Sequence, residues 1–229
     1  MNFQRYAIYY APPAEAEWGR FATHWLGWDM ATGAEVAHPE APDLLLPVSE
    51  ITATPRKYGL HATIKPPFRL AEGQTRAALE AGCAALCADL APLRMDGLAL
   101  ARLGRFLALR PLGETAALTA LAARTVEALD AFRAPAPEAE VERRRAAGLS
   151  PAQEANLMRW GYPYVMDTFR FHITLSGKLA KPVLGAVETT LALDLVPLLP
   201  APFGIADLAL VGEDAAGQFH LIHRYTLSG

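Results

Sequence analysis

The stretch YGLHATIKPPFRL, Tyr58 to Leu70, decides how the chain is read. Strand alternation puts Leu60, Ala62 and Ile64 on one face and His61, Thr63 and Lys65 on the other. One polar row on a half-buried strand is ordinary, because such a strand shows a face to water. The pattern returns, however, in DTFRFHITLSGKL, Asp167 to Leu179, where His172 lies 111 residues after His61. Both copies read His-x-Thr-x, with apolar residues before the His, between His and Thr, and after Thr. His61 and Thr63 share one face, as do His172 and Thr174. Lys65 continues the first polar row, and Ser176 and Lys178 continue the second.

The two strands organise the rest of the sequence. RYAIYYAP, Arg5 to Pro12, is aromatic and branched and reads as a strand that stops at the prolines. The segment after it spaces Trp18, Phe21, Trp25 and Trp28 near helical periodicity. A proline-containing loop leads to the His61 strand. A helix around Cys83 and Cys87 follows, then a hairpin turning near Leu103–Gly104, then a helix from Glu114. Residues 134–160 read as a helical excursion on the surface. Ser150 suits an N-cap, Pro151 the first helical position and Gln153 the reciprocal capping position. After the His172 strand come another helix and a closing hairpin. The order of elements is thus roughly duplicated, with approximate lobes 1–110 and 111–229 in one domain.

Composition narrows the function. Formal net charge is −3 over 229 residues, so global steering toward duplex DNA is not expected. No apolar run reaches about 18 residues, the length that would indicate a membrane span. The N-terminal MNFQRYAIYYAPP lacks the pattern of a secretory signal. Two cysteines one helical turn apart read as small core residues, and a cytoplasmic, reducing compartment fits them. Charge is nevertheless focused. Between Glu50 and Glu72 there are no acids but four cations, Arg56, Lys57, Lys65 and Arg69. Between Asp167 and Glu188 there are again no acids, but Arg170, Lys178 and Lys181. Positive charge around both motifs favours an anionic ligand, with phosphate the natural candidate.

Two imidazoles facing one phosphate can work as base and acid, since histidine titrates near neutrality. Threonine hydroxyls can bond the non-bridging oxygens as their charge grows. This chemistry requires no metal or other cofactor. Among neighbouring residues, Arg170 shares the His172 face if that strand starts early, and Arg105 lies on a strand that could border the site. Tyr58 could line it. Lys65, ahead of Pro66, either enters the groove or ends the strand in solvent, and Arg69 flanks the motif. Arg143–Arg145 are either a solvated helix face or a phosphate-contacting lid.

The paired motifs in a duplicated α+β chain resemble the 2H phosphoesterase superfamily. The wording YGLHATIKPPFRL with LSPAQEANLMRWGYPYVMDTFRFHITLSGKL is similar to one bacterial subgroup encoded among phosphonate-degradation genes. The resemblance implies an α+β bilobal fold with two antiparallel sheets flanking a central groove, and His61, Thr63, His172 and Thr174 as catalytic residues. It also implies a metal-independent phosphodiesterase acting on a small cyclic phosphate ester, such as a phosphoribosyl cyclic phosphate. Nucleotides or RNA ends bearing 2′,3′-cyclic phosphates are the alternative substrates. A regulatory module binding a nucleotide or phosphosugar is the alternative class.

Overall fold

The structure, a computed structural model, describes residues 2–229. Its main strands are β1 (Arg5–Tyr10), β2 (Ala62–Phe68), β3 (Gly97–Leu103), β4 (Phe106–Leu112), β5 (Ile173–Thr174), β6 (Asp207–Glu213) and β7 (Phe219–Thr226). They form one antiparallel sheet in the order β7-β6-β1-β2-β5-β4-β3. Six longer helices accompany it: α1 (Glu17–Leu26), α2 (Arg76–Ala88), α3 (Ala116–Ala128), α4 (Glu138–Arg145), α5 (Pro151–Trp160) and α6 (Lys181–Asp194). Two short ribbons pair Trp28–Asp29 with Ala34–Glu35, and Leu93–Met95 with Phe203–Ile205.

The α+β class is as read from the sequence, but the two half-sheets are not separate. They join at the His-bearing strands β2 and β5 through the pair Ala62–Ile173. Nor do the halves follow a boundary near residue 110. Hairpin β3–β4 sits beside β5, and hairpin β6–β7 sits beside β1. The helices are exchanged in the same way: α2 packs behind β6 and β7, and α6 behind β3 and β4. Each hairpin therefore covers the helix contributed by the other unit, and both units share one core.

That core lies on one side of the sheet. Ile8, Ala62, Ile64, Leu107, Leu109, Ile173 and Leu210 meet Trp25, Leu79, Cys83, Leu118 and Leu184 from the helices. Burying such side chains contributes about 1.5–3 kcal/mol each, which fixes strand register because a one-residue slip would expose the whole set. Trp18 and Trp25 are buried on α1 in this core, but Trp28 lies past the end of the helix, in a short ribbon, and is buried in a second, smaller cluster with Tyr9, Val211 and Phe219. Cys83 and Cys87 are buried thiols in the same core. The excursion 134–160 is helical as expected. Ser150 accepts from the Gln153 amide at 3.3 Å, and Gln153 Oε1 accepts from the Ser150 amide at 2.9 Å, closing the capping box.

β5 is shorter than its sequence pattern suggests. Beyond Thr174 the Ser176 hydroxyl, not a main-chain carbonyl, accepts the Leu107 amide at 3.0 Å. The chain stays extended there without a regular ladder. No helix among the described residues is long and apolar enough to cross a membrane.

Candidate active site

β2 and β5 run antiparallel, with Ala62 opposite Ile173 and both turned into the core. The same register places His61 opposite Thr174 and Thr63 opposite His172, on the face away from the helices. The four side chains make a two-by-two array in which each histidine has one threonine along its strand and the other across. Opposite positions in such a ladder stand about 4.5–5.5 Å apart at Cβ, so the array can embrace a single phosphate.

Both imidazoles are held in the same way. His61 Nδ1 lies 2.9 Å from the carbonyl of Gly59, and His172 Nδ1 lies 2.8 Å from the carbonyl of Arg170. A carbonyl only accepts, so each Nδ1 carries the proton and donates, leaving Nε2 free to work. The Thr63 hydroxyl is 3.3 Å from His61 Nε2. Gly59 adopts φ +68°, a left-handed conformation that glycine takes without steric penalty. That turn brings its carbonyl under the ring of His61. Tyr9 of β1, register partner of Thr63, stacks on the other side of His61 with ring centroids 3.9 Å apart.

Burial pushes the His61 pKa down to about 4, with the nearby His172 adding to the shift and the Gly59 bond opposing it. His61 is therefore a neutral imidazole at pH 7, whose Nε2 lone pair meets only the Thr63 hydroxyl at 3.3 Å. The unfolded chain takes up this proton near pH 6.5, and the folded chain only near pH 4. Between those values the unfolded state binds more protons, so stability falls as pH drops through that window. The full shift corresponds to at most about 3 kcal/mol, reduced by water in the open groove. Urea unfolding at pH 7 and pH 4.5 should show a loss in wild type that shrinks in His61→Gln. An equal loss in both would place the acid sensitivity elsewhere.

Three of the four side chains, His61, Thr63 and Thr174, line a cavity of about 620 Å³, a size suited to a small ligand. His172 is not among its lining residues and stands just outside, its ring 6.0 Å from that of Phe106, which does line it. Tyr58 and Ser176 line it as the sequence suggested. Four other expected residues do not. Lys65 is turned into the core, 2% exposed, because β2 carries a bulge: Tyr9 pairs with Thr63, but Ile8 pairs with Lys65. The extra residue flips the alternation, so Ile64 and Lys65 both point inward. Lys65 Nζ donates to the Val126 carbonyl at 3.0 Å and lies 3.5 Å from Asp130, and burial lowers its pKa to about 8. Arg170 is outside any strand; its guanidinium folds back on the carbonyls of Asp167 and Phe169. Arg105 sits in the β3–β4 turn and donates to the Leu179 carbonyl at 3.1 Å. Arg69, past the end of β2, faces Glu140 at 3.9 Å.

The cations that do line the groove are Arg5, Lys57, Arg143, Arg144 and Lys178, and no acidic residue lines it. Arg5 is paired with Glu213 and Arg144 with Glu140, whereas Lys57, Arg143 and Lys178 have no ion pair among the described residues. Two of the three consecutive arginines thus belong to the groove wall. Tyr9 and Arg5 had a readable signal, since they share a face with Ala7, alternating with Tyr6 and Ile8, on the strand that pairs with β2. Phe106 and Tyr162 had none: Phe106 opens β4 just after its tight turn, and Tyr162 lies in the loop after α5. Among the described residues, no three His, Cys, Asp or Glu side chains converge as a metal site would require.

The fold and groove define an α+β protein with a paired His-x-Thr centre. The chain belongs to the family described as "Protein of unknown function (DUF1045)", whose model matches residues 63–220. It is 40% identical over 181 residues to "Ribose 1,5-bisphosphate phosphokinase PhnN" of Janthinobacterium sp. (strain Marseille), covering 78% of this chain and 40% of that one. It is equally identical over 179 residues to the protein of the same name in Laribacter hongkongensis (strain HLHK9), covering 76% of this chain and 40% of that one. The chain thus spans about two-fifths of the length of the curated relatives it matches. Among solved structures, E. coli LigT complexed with NADP+ is 13% identical over the whole of both chains, with a TM-score of 0.49. TT0787 of Thermus thermophilus is 16% identical over 98% of each chain, with a TM-score of 0.46.

Proposed function

We propose that this chain hydrolyses a small cyclic phosphate ester by two-histidine acid–base catalysis without a metal. The observation that carries the reading is the matched anchoring of the two imidazoles. Each Nδ1–H is tied to a carbonyl two residues back, and each Nε2 is left for chemistry.

His61, neutral at working pH, takes a proton from water as the water oxygen attacks phosphorus. The phosphorus–oxygen bond to one ring ester oxygen breaks, and His172 Nε2–H gives that oxygen its proton. The products are a phosphate monoester and a free hydroxyl. The Thr63 and Thr174 hydroxyls bond the non-bridging oxygens, and Lys178 at the rim offsets their charge. Pure binding would need cations and hydroxyls, not two imidazoles with their tautomers fixed, and this favours catalysis over a regulatory module.

The relatives' printed name suggests the substrate. Ring opening of a 5-phosphoribosyl 1,2-cyclic phosphate at the 2-oxygen yields ribose 1,5-bisphosphate, which a kinase of that name would then use. The kinase activity itself is assigned, in this reading, to the part of those proteins that this chain does not span. The G-x-x-x-x-G-K-[ST] loop that cradles phosphates in many kinases is absent from the present sequence.

The test is hydrolysis in the presence of chelator. The panel holds ribose 1,2-cyclic phosphate with and without a 5-phosphate, 2′,3′-cyclic nucleotides and linear phosphodiesters. Turnover of the cyclic ribose esters that survives chelator is expected. Turnover lost to chelator would replace the reading with metal catalysis. Binding without turnover of any member would replace it with a regulatory module.

A further inference from the structure

We propose that Tyr9, Arg144 and Tyr162 form a second anion subsite beside the two-histidine centre, one that takes a separate phosphate monoester on the same substrate. The inference rests on the reading above and assigns residues to the part of the ligand that does not react.

Among the described residues, two buried polar atoms have no hydrogen-bond partner, the Tyr9 hydroxyl and Arg144 Nε. Both residues line the groove. Tyr9 is fully buried, and its ring is locked against His61. A buried hydroxyl or guanidinium N–H left unbonded costs about 1–3 kcal/mol, so such groups are rare unless something arrives to meet them. Here both orphans can donate, and they come from two different elements that wall one cavity, β1 and α4. Arg144 lies with its guanidinium 4.5 Å over the Tyr162 ring and donates to Glu140 at 2.6 Å, which fixes its plane and leaves Nε unmatched.

The ligand that suits this set is an acceptor with several oxygens and negative charge. Arg5 and Arg144 are each matched by a carboxylate, so Arg143, exposed at the same cavity, supplies the unbalanced positive charge. A phosphate monoester fits, since its oxygens accept from a hydroxyl and a guanidinium together. Because the Tyr9 ring lies directly on His61, one small ligand within the cavity of about 620 Å³ reaches both centres. The site therefore selects a cyclic ester that also carries a monoester, and disfavours one that ends in a plain hydroxyl.

Calorimetry with ribose 5-phosphate, which has a monoester but no cyclic ester, reads the subsite directly. Tyr9→Phe keeps the ring on His61 and removes only the hydroxyl, and Arg144→Gln removes the charge. Each is expected to weaken ribose 5-phosphate binding by about tenfold or more, since charge-assisted bonds are lost, while His172→Ala changes it by less than about threefold. Binding that is lost in His172→Ala but kept in both other variants would put the monoester on the histidines and overturn the proposal. Absence of binding to wild type would overturn it too. Hydrolysis of the cyclic panel separates the two ideas. Turnover with equal preference for 5-phosphorylated and unphosphorylated esters would leave hydrolysis standing and remove the subsite. Monoester binding that depends on Tyr9 and Arg144, without turnover, would uphold the subsite and remove hydrolysis.

Discussion

Replacing His172 with alanine is expected to lower kcat by about 10²–10⁴-fold while KM stays within about tenfold. The asymmetry follows from where the side chain sits. His172 is half-buried at the edge of the groove beside Phe106, with Nδ1 committed to the Arg170 carbonyl and Nε2 available to the leaving oxygen. A proton delivered during bond breaking matters in the transition state and little before it. His61→Ala should lose a similar amount, for a proton removed and not given. The double variant should lose scarcely more than either single one, because base and acid act in one concerted event. Single-turnover kinetics on the best substrate of the panel would measure this. A raised KM with unchanged kcat would mean that His172 only helps to hold the ligand.

Trp25→Ala should cost about 3–5 kcal/mol, the largest stability loss expected of a single side chain here. Trp25 is 0% exposed on α1, and its Nε1 donates to the Leu175 carbonyl at 2.8 Å. That carbonyl follows Thr174, so the indole both fills the core and ties down the strand that carries half the site. Domains of this kind are stable by about 5–15 kcal/mol, so the loss is a large share of the whole. Trp25→Phe should recover most of the packing and lose only the hydrogen bond, about 1–2 kcal/mol. Chemical unfolding at pH 7 compares the three proteins. A shift below about 1 kcal/mol for Trp25→Ala would show that the core closes over the gap.

Local pattern made most of the fold legible in the sequence. The alternation in Leu60–Ile64 and Phe171–Leu175, the spacing of Trp18 and Trp25 and the Ser150–Gln153 cap are local signals, and each has its counterpart in the structure, whereas Trp28 falls past the helix in a separate cluster. The array of His61, Thr63, His172 and Thr174 was legible because alternation alone puts a His and a Thr on one face. Lys65 was misplaced by the same rule, because simple alternation ignores the bulge that flips the phase after Thr63, of which the strand's Pro66 and Pro67 are the one sequence sign. Arg170 and Arg105 were misplaced because main-chain carbonyls nearby satisfy their guanidinium groups. Arg143 and Arg144 reach the groove from an excursion whose docking is tertiary, so their sequence left both a solvated helix face and a phosphate-contacting lid open, and Tyr162 comes from the loop after α5. The exchange of hairpins was hidden for a related reason. A duplicated order of elements suggests two self-contained halves, and only the pairing of β3–β4 with β5 and of β6–β7 with β1 shows otherwise.

That exchange bears on how the chain comes to be folded. A nascent chain that has emerged as far as β4 has a hairpin with no β5 to pair with, a β1 edge with no β6 beside it, and a helix α2 whose apolar face has nothing to lie on. These needs are met only as the second half leaves the ribosome, the last of them by the final hairpin. The first half alone therefore lacks the strands it pairs with, and most contacts of the fold join residues far apart in sequence, a pattern that goes with slow folding. The groove is assembled by the same closure, since His61 and Thr174 meet only when the two halves knit.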